Sequence, residues 1–310
     1  MAGLSVGAAV GAGFGLIRRR PVSVLTWGAV LVGVQVLAFA LFAPYYLAVY
    51  AAMFQGVASG AGPLPMAALQ SPQVRAMQGL TQLYNLGQLL VTAVLYCAAF
   101  RAVLHPERSS FAYMRIGAPE LFLVLLIFAA FIALFVGLLI VILPVSLVIG
   151  VVAAASHGSG LGLLVLLPIV MLALVIAFFF VGLRFAFVGP MIVEDGKFHL
   201  FESWTLTRGR VVSLFLIGLS LFGIFILIDI LLLAVLLGFG AAAVQSLGGL
   251  NQVAELLRAS PATLIGKLAP LLVVYVVVQI PITGCLMAIG AAPWAKAYRD
   301  LLPDASHVFA

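Results

Sequence analysis

The sequence predicts an all-α protein, a polytopic bundle of six transmembrane helices arranged as three repeated hairpins. Three observations lead there. Hydrophobic residues make up 65% of the chain and charged residues 8%, with a mean hydropathy of +1.30, too few charges to solvate a soluble globule of 310 residues. The apolar stretches are long, continuous and without alternation, so their backbone groups are satisfied inside helices rather than around a barrel. Lysine and arginine gather at alternate ends of these stretches.

The chain begins with an apolar, glycine-rich segment, 1–17, followed by Arg18, Arg19 and Arg20. A secretory leader carries its charges before its apolar region, so this order argues against one, and the mature chain is expected to begin near Met1. Six spans follow, at 22–50, 80–104, 121–155, 161–187, 211–243 and 264–292. The third and fifth exceed the ~20 residues that a bilayer needs. Pro144 in the third, and Gly238 with Gly240 in the fifth, are points where such a helix can kink, end early or turn along the outer surface. The outer connections read as a loop at 54–75, a tight turn at 157–160, and a segment at 248–267 holding a short surface helix near 251–259 that Pro261 stops.

Charge sets the orientation. Of fifteen basic residues, Arg18, Arg19, Arg20, Arg101, Arg108, Arg115, Arg184, Lys197, Arg208, Arg210, Lys296 and Arg299 fall on one side of a six-span bundle, and Arg75, Arg258 and Lys267 on the other. This bias places both termini on the cytoplasmic side of the membrane. Tyr45, Tyr46 and Tyr50 at the first exit, and Trp294 with Tyr298 at the last return, suit interfacial anchors; ordinary helix packing is the alternative for each. The same distribution makes anionic lipid headgroups the expected partner and excludes nucleic acid, for which a dense basic run is missing. Cys97 and Cys285 lie in apolar runs and form no disulfide framework.

The segments before spans one, three and five share a pattern: Phe14-Gly-Leu16-Ile-Arg18, Phe111-Ala-Tyr113-Met-Arg115 and Trp204-Thr-Leu206-Thr-Arg208. Each reads aromatic, any, large apolar, any, arginine, and the arginines are 97 and 93 residues apart. A fixed spacing of this kind marks duplication. Arg101 with Pro106, Arg184 with Pro190 and Arg299 with Pro303 close the units. A single transmembrane domain therefore divides into units of approximately 1–106, 107–190 and 191–303, parallel repeats about an axis normal to the membrane. Ahead of each hairpin a cytoplasmic interfacial helix is expected, ring down and guanidinium out, most clearly at 194–210. There Glu202, Trp204, Arg208 and Arg210 form a candidate surface for a protein partner or a second copy of the chain; the plainer reading is a helix that fixes the entry angle of the next span.

The run Arg184-Phe-Ala-Phe-Val-Gly-Pro190, followed by Phe201-Glu-Ser-Trp-Thr-Leu-Thr-Arg-Gly-Arg210 and a hydrophobic span, resembles the bacterial inner-membrane family of the glycerophosphoryl diester phosphodiesterase membrane domain and its stand-alone relatives. The closing Ala295-Lys-Ala-Tyr-Arg-Asp-Leu301 is similar to the end of that family's last span. In fused members the chemistry resides in a separate soluble barrel with paired histidine and acidic metal ligands. No stretch here is long enough to be that barrel, so the resemblance implies a membrane module without the enzyme.

Chemistry-bearing residues are few. His105, His157, His199 and His307 fall in loops or the tail, where they are expected to be solvated, and no zinc, phosphate-loop or serine-hydrolase motif is present. No catalytic residue, cofactor or metal is assigned. Asp229 is the only acid well inside an apolar run; nineteen residues beyond Arg210, it lies ~28 Å along a straight helix, near the far edge of a ~30 Å core. Gln35, Gln88 and Gln279 fall at middle depths and with Asp229 make a candidate intramembrane polar site; interhelical hydrogen bonding is the alternative. Gly284, Ala288 and Ala292, spaced four apart, suit close helix packing. Two functional readings follow: a non-catalytic inner-membrane protein with an envelope- or lipid-associated structural or partner role, or a transporter or channel for a small or lipidic substrate using the mid-membrane polar residues.

Overall fold

The computed structural model describes residues 4–58, 72–107, 110–155, 161–249, 252–253, 255–256 and 261–305. Nine α-helices and no strand occur among the described residues. They are α1 (Val6–Arg19), α2 (Pro21–Ala58), α3 (Pro72–Leu104), α4 (Ala118–Ala155), α5 (Leu161–Arg184), α6 (Val188–Asp195), α7 (Leu200–Leu206), α8 (Val211–Ser246) and α9 (Pro261–Ala305). Six segments are long and apolar enough to cross a membrane: Pro21–Ala43, Val74–Leu104, Phe111–Val148, Pro168–Asp195, Val211–Ser246 and Gly266–Leu302. The chain is an all-α, multi-pass membrane protein. Of the loop expected at 54–75, residues 54–58 continue α2 and 72–75 open α3; the rest of that loop, the turn expected at 157–160, most of the short helix expected at 251–259, Arg108, Arg258, His157 and His307 lie outside the described residues, as do the side chains of Tyr45, Tyr46 and Tyr50.

Local sequence explains where the helices start and stop. Ser5 caps α1, its hydroxyl accepting from the Ala8 amide at 3.3 Å. Arg20 leaves helical geometry at φ −134, and Pro21 opens α2 at the first helical position, where its missing N–H is harmless. Neither α4 nor α8 ends early: Pro144 sits inside α4, and α8 runs past Gly238 and Gly240. Hydrocarbon offers no water to receive a broken backbone bond, so continuing the helix is favoured. The last helix is longer than its apolar run: α9 has 45 residues, which at 1.5 Å each span ~68 Å, about twice the core thickness.

Burial is uneven along the helix axes. α9 is the central post, packing against α1, α2, α3, α6 and α8. Its buried residues run from Gly284 to Leu301; those of α3 from Ala93 to Val103; those of α8 from Leu214 to Leu221. All of α6 from Val188 to Val193 is buried. In α4 only Glu120 and Leu123 are buried, and in α5 only Leu183, among described side chains. The core thus lies at one end of the bundle, the end carrying α1 and the arginines that close α3 and α5. Beyond it the helices expose leucine, valine, isoleucine and phenylalanine.

Small residues make the tight end possible. Where α2 crosses α9, a Cβ on Gly28 would overlap the Ile280 carbonyl and one on Gly284 the Val24 carbonyl, so the two backbones touch. Ala288 and Ala292 continue this buried stripe, and on α1 a Cβ at Gly13 would lie 2.8 Å from the Ile289 Cα. Tyr298, placed by sequence at the membrane surface, is instead fully buried, its ring 6.1 Å from that of Phe187.

The three aromatic-to-arginine segments take three conformations. Phe14 to Arg18 lies within α1. Phe111, Ala112 and Tyr113 form a left-handed turn with φ of 47, 54 and 64, a geometry that costs a non-glycine residue about 1–2 kcal/mol. It is held from outside: the Trp27 indole donates to the Ala112 carbonyl at 2.8 Å, Arg101 to the Tyr113 carbonyl at 3.3 Å, and the Tyr113 hydroxyl to the Pro106 carbonyl at 3.0 Å. The third segment ends α7. The single interfacial helix expected at 194–210 is replaced by the end of α6, a turn at Gly196 (φ 66), the seven residues of α7 and a second turn at Gly209 (φ 81). Each glycine takes a left-handed conformation that terminates the element before it.

Candidate functional site

The packed end of the bundle encloses a hollow of about 560 Å³ between α1 and the ends of α3 and α9. On α1 its wall holds the small-residue stripe Ala8, Gly11, Ala12 and Gly15, bordered by Leu16, and Ala102 and Val103 of α3 complete the apolar lining. Its charged lining is Arg19, Arg20, Lys296 and Arg299. Two of the guanidiniums are positioned by main-chain carbonyls near the end of α3: Arg20 donates to Pro106 at 3.0 Å and Arg299 to Val103 at 2.9 Å. Arg20 also stands 6.0 Å from the centre of the Tyr113 ring. Lys296 pairs with Asp300 one turn on. Among the described residues no carboxylate pairs with Arg19, Arg20 or Arg299, so the hollow keeps a net positive charge.

A second polar hollow, about 300 Å³, lies on the other side of α3 and holds Arg101, His105, Arg115, Glu120 and Glu194. Here charges are matched. Glu120, in the first turn of α4 and 4% exposed, is ion-paired with Arg101, which also holds the left-handed turn. His105 is within 3.2 Å of Glu194 on α6 and 3.8 Å of Glu107. A site with its charges paired in this way ties α3, α4 and α6 together and favours no added ion of either sign. No cluster of three metal-ligating side chains exists among the described residues.

Of the proposed mid-membrane site, Gln35 on α2 and Gln279 on α9 line one apolar cleft of about 560 Å³, with Phe39, Leu272 and Tyr275. Neither Gln88 nor Asp229 lines it. Gln88 is half-buried on α3, its Oε1 without a hydrogen-bond partner among the described residues. Asp229 is exposed on α8 and has no polar partner among them. Its register on α8 turns it outward, away from the cleft of Gln35 and Gln279.

The polar island around α7 is largely engaged with the chain itself. The Ser203 hydroxyl donates to the Arg184 carbonyl at 2.9 Å, which ties α7 to the end of α5. The Arg184 guanidinium stands over the rings of Trp204 (5.0 Å) and Phe180 (5.2 Å), a cation–π arrangement that leaves Trp204 42% exposed. Arg210 donates to the Leu206 carbonyl at 3.3 Å. The His199 ring lies 3.1 Å from the Glu202 carboxylate, and this hydrogen bond, with main-chain donors, holds the Glu202 carboxyl below its ordinary range. Arg208 and Phe201 remain exposed. Both His105 and His199, read from sequence as solvated, are partly buried against carboxylates.

In the sequence Arg19, Arg20, Lys296 and Arg299 mark orientation, and nothing in their spacing joins them. The legible signal was the stripe Ala8, Gly11, Ala12 and Gly15 just before the arginine triplet, which marks a helix face with room beside it. Comparison with family models, with curated proteins and with solved structures yields no match.

Proposed function

We propose that this chain is a non-catalytic protein of the bacterial inner membrane with both termini in the cytoplasm. It is a stand-alone counterpart of the membrane domains of glycerophosphoryl diester phosphodiesterases, built from three related hairpins, and it serves a lipid- or envelope-associated role. The observation that carries this reading is the gathering of Arg19, Arg20 and Arg299, which no carboxylate pairs among the described residues, at the packed end of a bundle whose long helices otherwise expose apolar side chains. Anionic headgroups complement such a face, each cation near the surface contributing about 1 kcal/mol. In nanodiscs of phosphatidylcholine, replacing part of the lipid by phosphatidylglycerol should raise the thermal midpoint, and high salt should reduce the gain. Equal midpoints in both lipids at low salt would remove the reading. Labelling of single cysteines from either side of inverted vesicles tests the orientation.

One observation favours the transporter reading as well: Gln35 and Gln279 share a cleft that opens among apolar side chains. A lipidic substrate is the chemistry such a lining admits. Gln35→Leu with Gln279→Leu should then abolish the phenotype that the intact chain complements. Full complementation leaves the lipid-associated role alone.

A further inference from the structure

The hollow beneath α1 has a feature that helix packing does not explain. Gly13, on the buried face of α1, has no room for a Cβ, because the Ile289 backbone is against it. Gly11 and Gly15, on the hollow face, are different: a Cβ at either would meet nothing within 4 Å. Both are in ordinary helical geometry, where glycine costs about 1 kcal/mol relative to alanine. The small side chains there bring no neighbour closer. Their effect is to leave open a space of about 560 Å³ rimmed by Arg19, Arg20, Lys296 and Arg299.

The rim is built for a compact anion. Arg20 and Arg299 are each anchored by one N–H to a carbonyl at the end of α3, out of the five that a guanidinium carries, so their positions are fixed while their charge is uncompensated. Planar guanidiniums and an ammonium around one cavity match phosphate oxygens, which accept several charge-assisted hydrogen bonds at once. Beneath the rim, Ala12, Leu16, Ala102 and Val103 offer apolar surface that a free phosphate does not use. A glycerol ester does use it, and the hollow lies at the end of the membrane-crossing segments, where such esters are found.

We propose that this hollow is a stoichiometric binding site for the phosphate of an anionic phospholipid headgroup, its glycerol portion resting on the apolar floor. The inference rests on the lipid-associated role proposed above and narrows it from a charged face to one site. The shared chemistry is the phosphate, whether from a lipid or from a free phosphate ester, and the apolar floor selects the lipid.

The test is titration of the purified full chain in neutral detergent with dioctanoyl phosphatidylglycerol, dioctanoyl phosphatidylcholine, glycerol 3-phosphate and inorganic phosphate, followed by native mass spectrometry and calorimetry. One phosphatidylglycerol per chain is expected, with the soluble phosphates and phosphatidylcholine at least about tenfold weaker. Gly15→Leu, which fills the hollow from a position facing open space, should abolish that binding and leave the thermal midpoint in phosphatidylcholine nanodiscs unchanged. Arg19→Gln with Arg299→Gln should weaken it about tenfold or more. Asp300→Asn, which releases Lys296, should tighten it. Stoichiometric binding that survives Gly15→Leu overturns the site, as does equal affinity for glycerol 3-phosphate, which would make the ligand a soluble ester. If Gly15→Leu itself lowers the midpoint, the arginine pair decides: unaltered lipid affinity in that variant overturns the proposal. Stabilisation by anionic nanodiscs that persists without one-to-one binding removes the site and keeps the broader role; loss of both removes the role too.

Discussion

The two ends of this bundle are built on opposite principles. At the basic end, α1, α2, α3, α6 and α9 meet closely, the backbones of α2 and α9 touch through glycine, and defined polar contacts such as Arg101–Glu120 and Trp27–Ala112 join the elements. At the other end the helices carry bulky side chains to lipid, and Gly137, Gly150, Gly238 and Gly240 have nothing near them. Hydrophobicity cannot distinguish these ends, since lipid solvates a leucine as well as a protein core does. Close approach and hydrogen bonding can, so the fold is specified where small and polar residues concentrate. The rest of each helix is needed to span the bilayer and little else.

The sharpest way to break the contrast is to substitute the same residue type at both ends. Gly284→Val forces a side chain into the Val24 carbonyl and should cost about 3 kcal/mol or prevent folding, with Gly28→Val alike. Gly150→Val or Gly238→Val, where a Cβ meets open space, should stay within about 0.5 kcal/mol. Thermal denaturation in nanodiscs checks all four, and equal losses at both ends would dissolve the distinction. Next in size is the ion pair that joins α3 to α4. Glu120→Gln leaves Arg101, 13% exposed, with neutral acceptors and no counter-charge, which should cost about 2 kcal/mol, below the range for a fully interior pair. Replacing both residues by methionine should recover part of that loss.

This contrast also explains what could be read from sequence alone. Crossing a membrane demands ~20 apolar residues in a row, so the six spans are visible in composition, and Gly284, Ala288 and Ala292 announce their packing by spacing four. The left-handed turn at Phe111 to Tyr113 is invisible locally. Nothing in those residues favours positive φ, and what holds it, Trp27 and Arg101, comes from two other helices. The hollow likewise draws on both ends of the chain, Arg19 and Arg299 being brought together by the packing of α1 on α9. Asp229 is a related case. An acid inside an apolar run suggests a site only if its helix face meets neighbours, and α8 is exposed at that depth.

A smaller effect tests whether the turn is imposed from outside. Trp27→Phe keeps most of the buried ring and removes the donor to the Ala112 carbonyl. The loss should be about 1 kcal/mol, the typical contribution of one such bond, with amide exchange of Met114 accelerating ahead of global unfolding because its N–H bonds across the turn to Phe111. Unchanged exchange at Met114 would mean that the turn is held by Arg101 and the buried, hydrogen-bonded Tyr113 without Trp27.

The smallest effect expected lies in the α7 island and depends on pH. Glu202 has its carboxyl held below the ordinary range, first by the hydrogen bond from His199 and then by main-chain donors. A group depressed in this way contributes stability above its unfolded-state pKa and loses it as pH falls through the folded-state value. The contribution is therefore intact at neutral pH and disappears only in acid. Because Glu202 is well solvated the change should be local, loosening α7 without unfolding the bundle. Trp204, two residues away and stacked on Arg184, reports it: in the 5-fluorotryptophan-labelled chain its fluorine resonance, assigned by Trp204→Phe, should shift and narrow on acidification while that of the buried Trp27 stays fixed. His199→Ala should move the Trp204 transition to higher pH, towards the ordinary carboxylate range, since the largest cause of the depression is gone. A transition unmoved by that substitution would assign the depression to the main-chain donors at the start of α7.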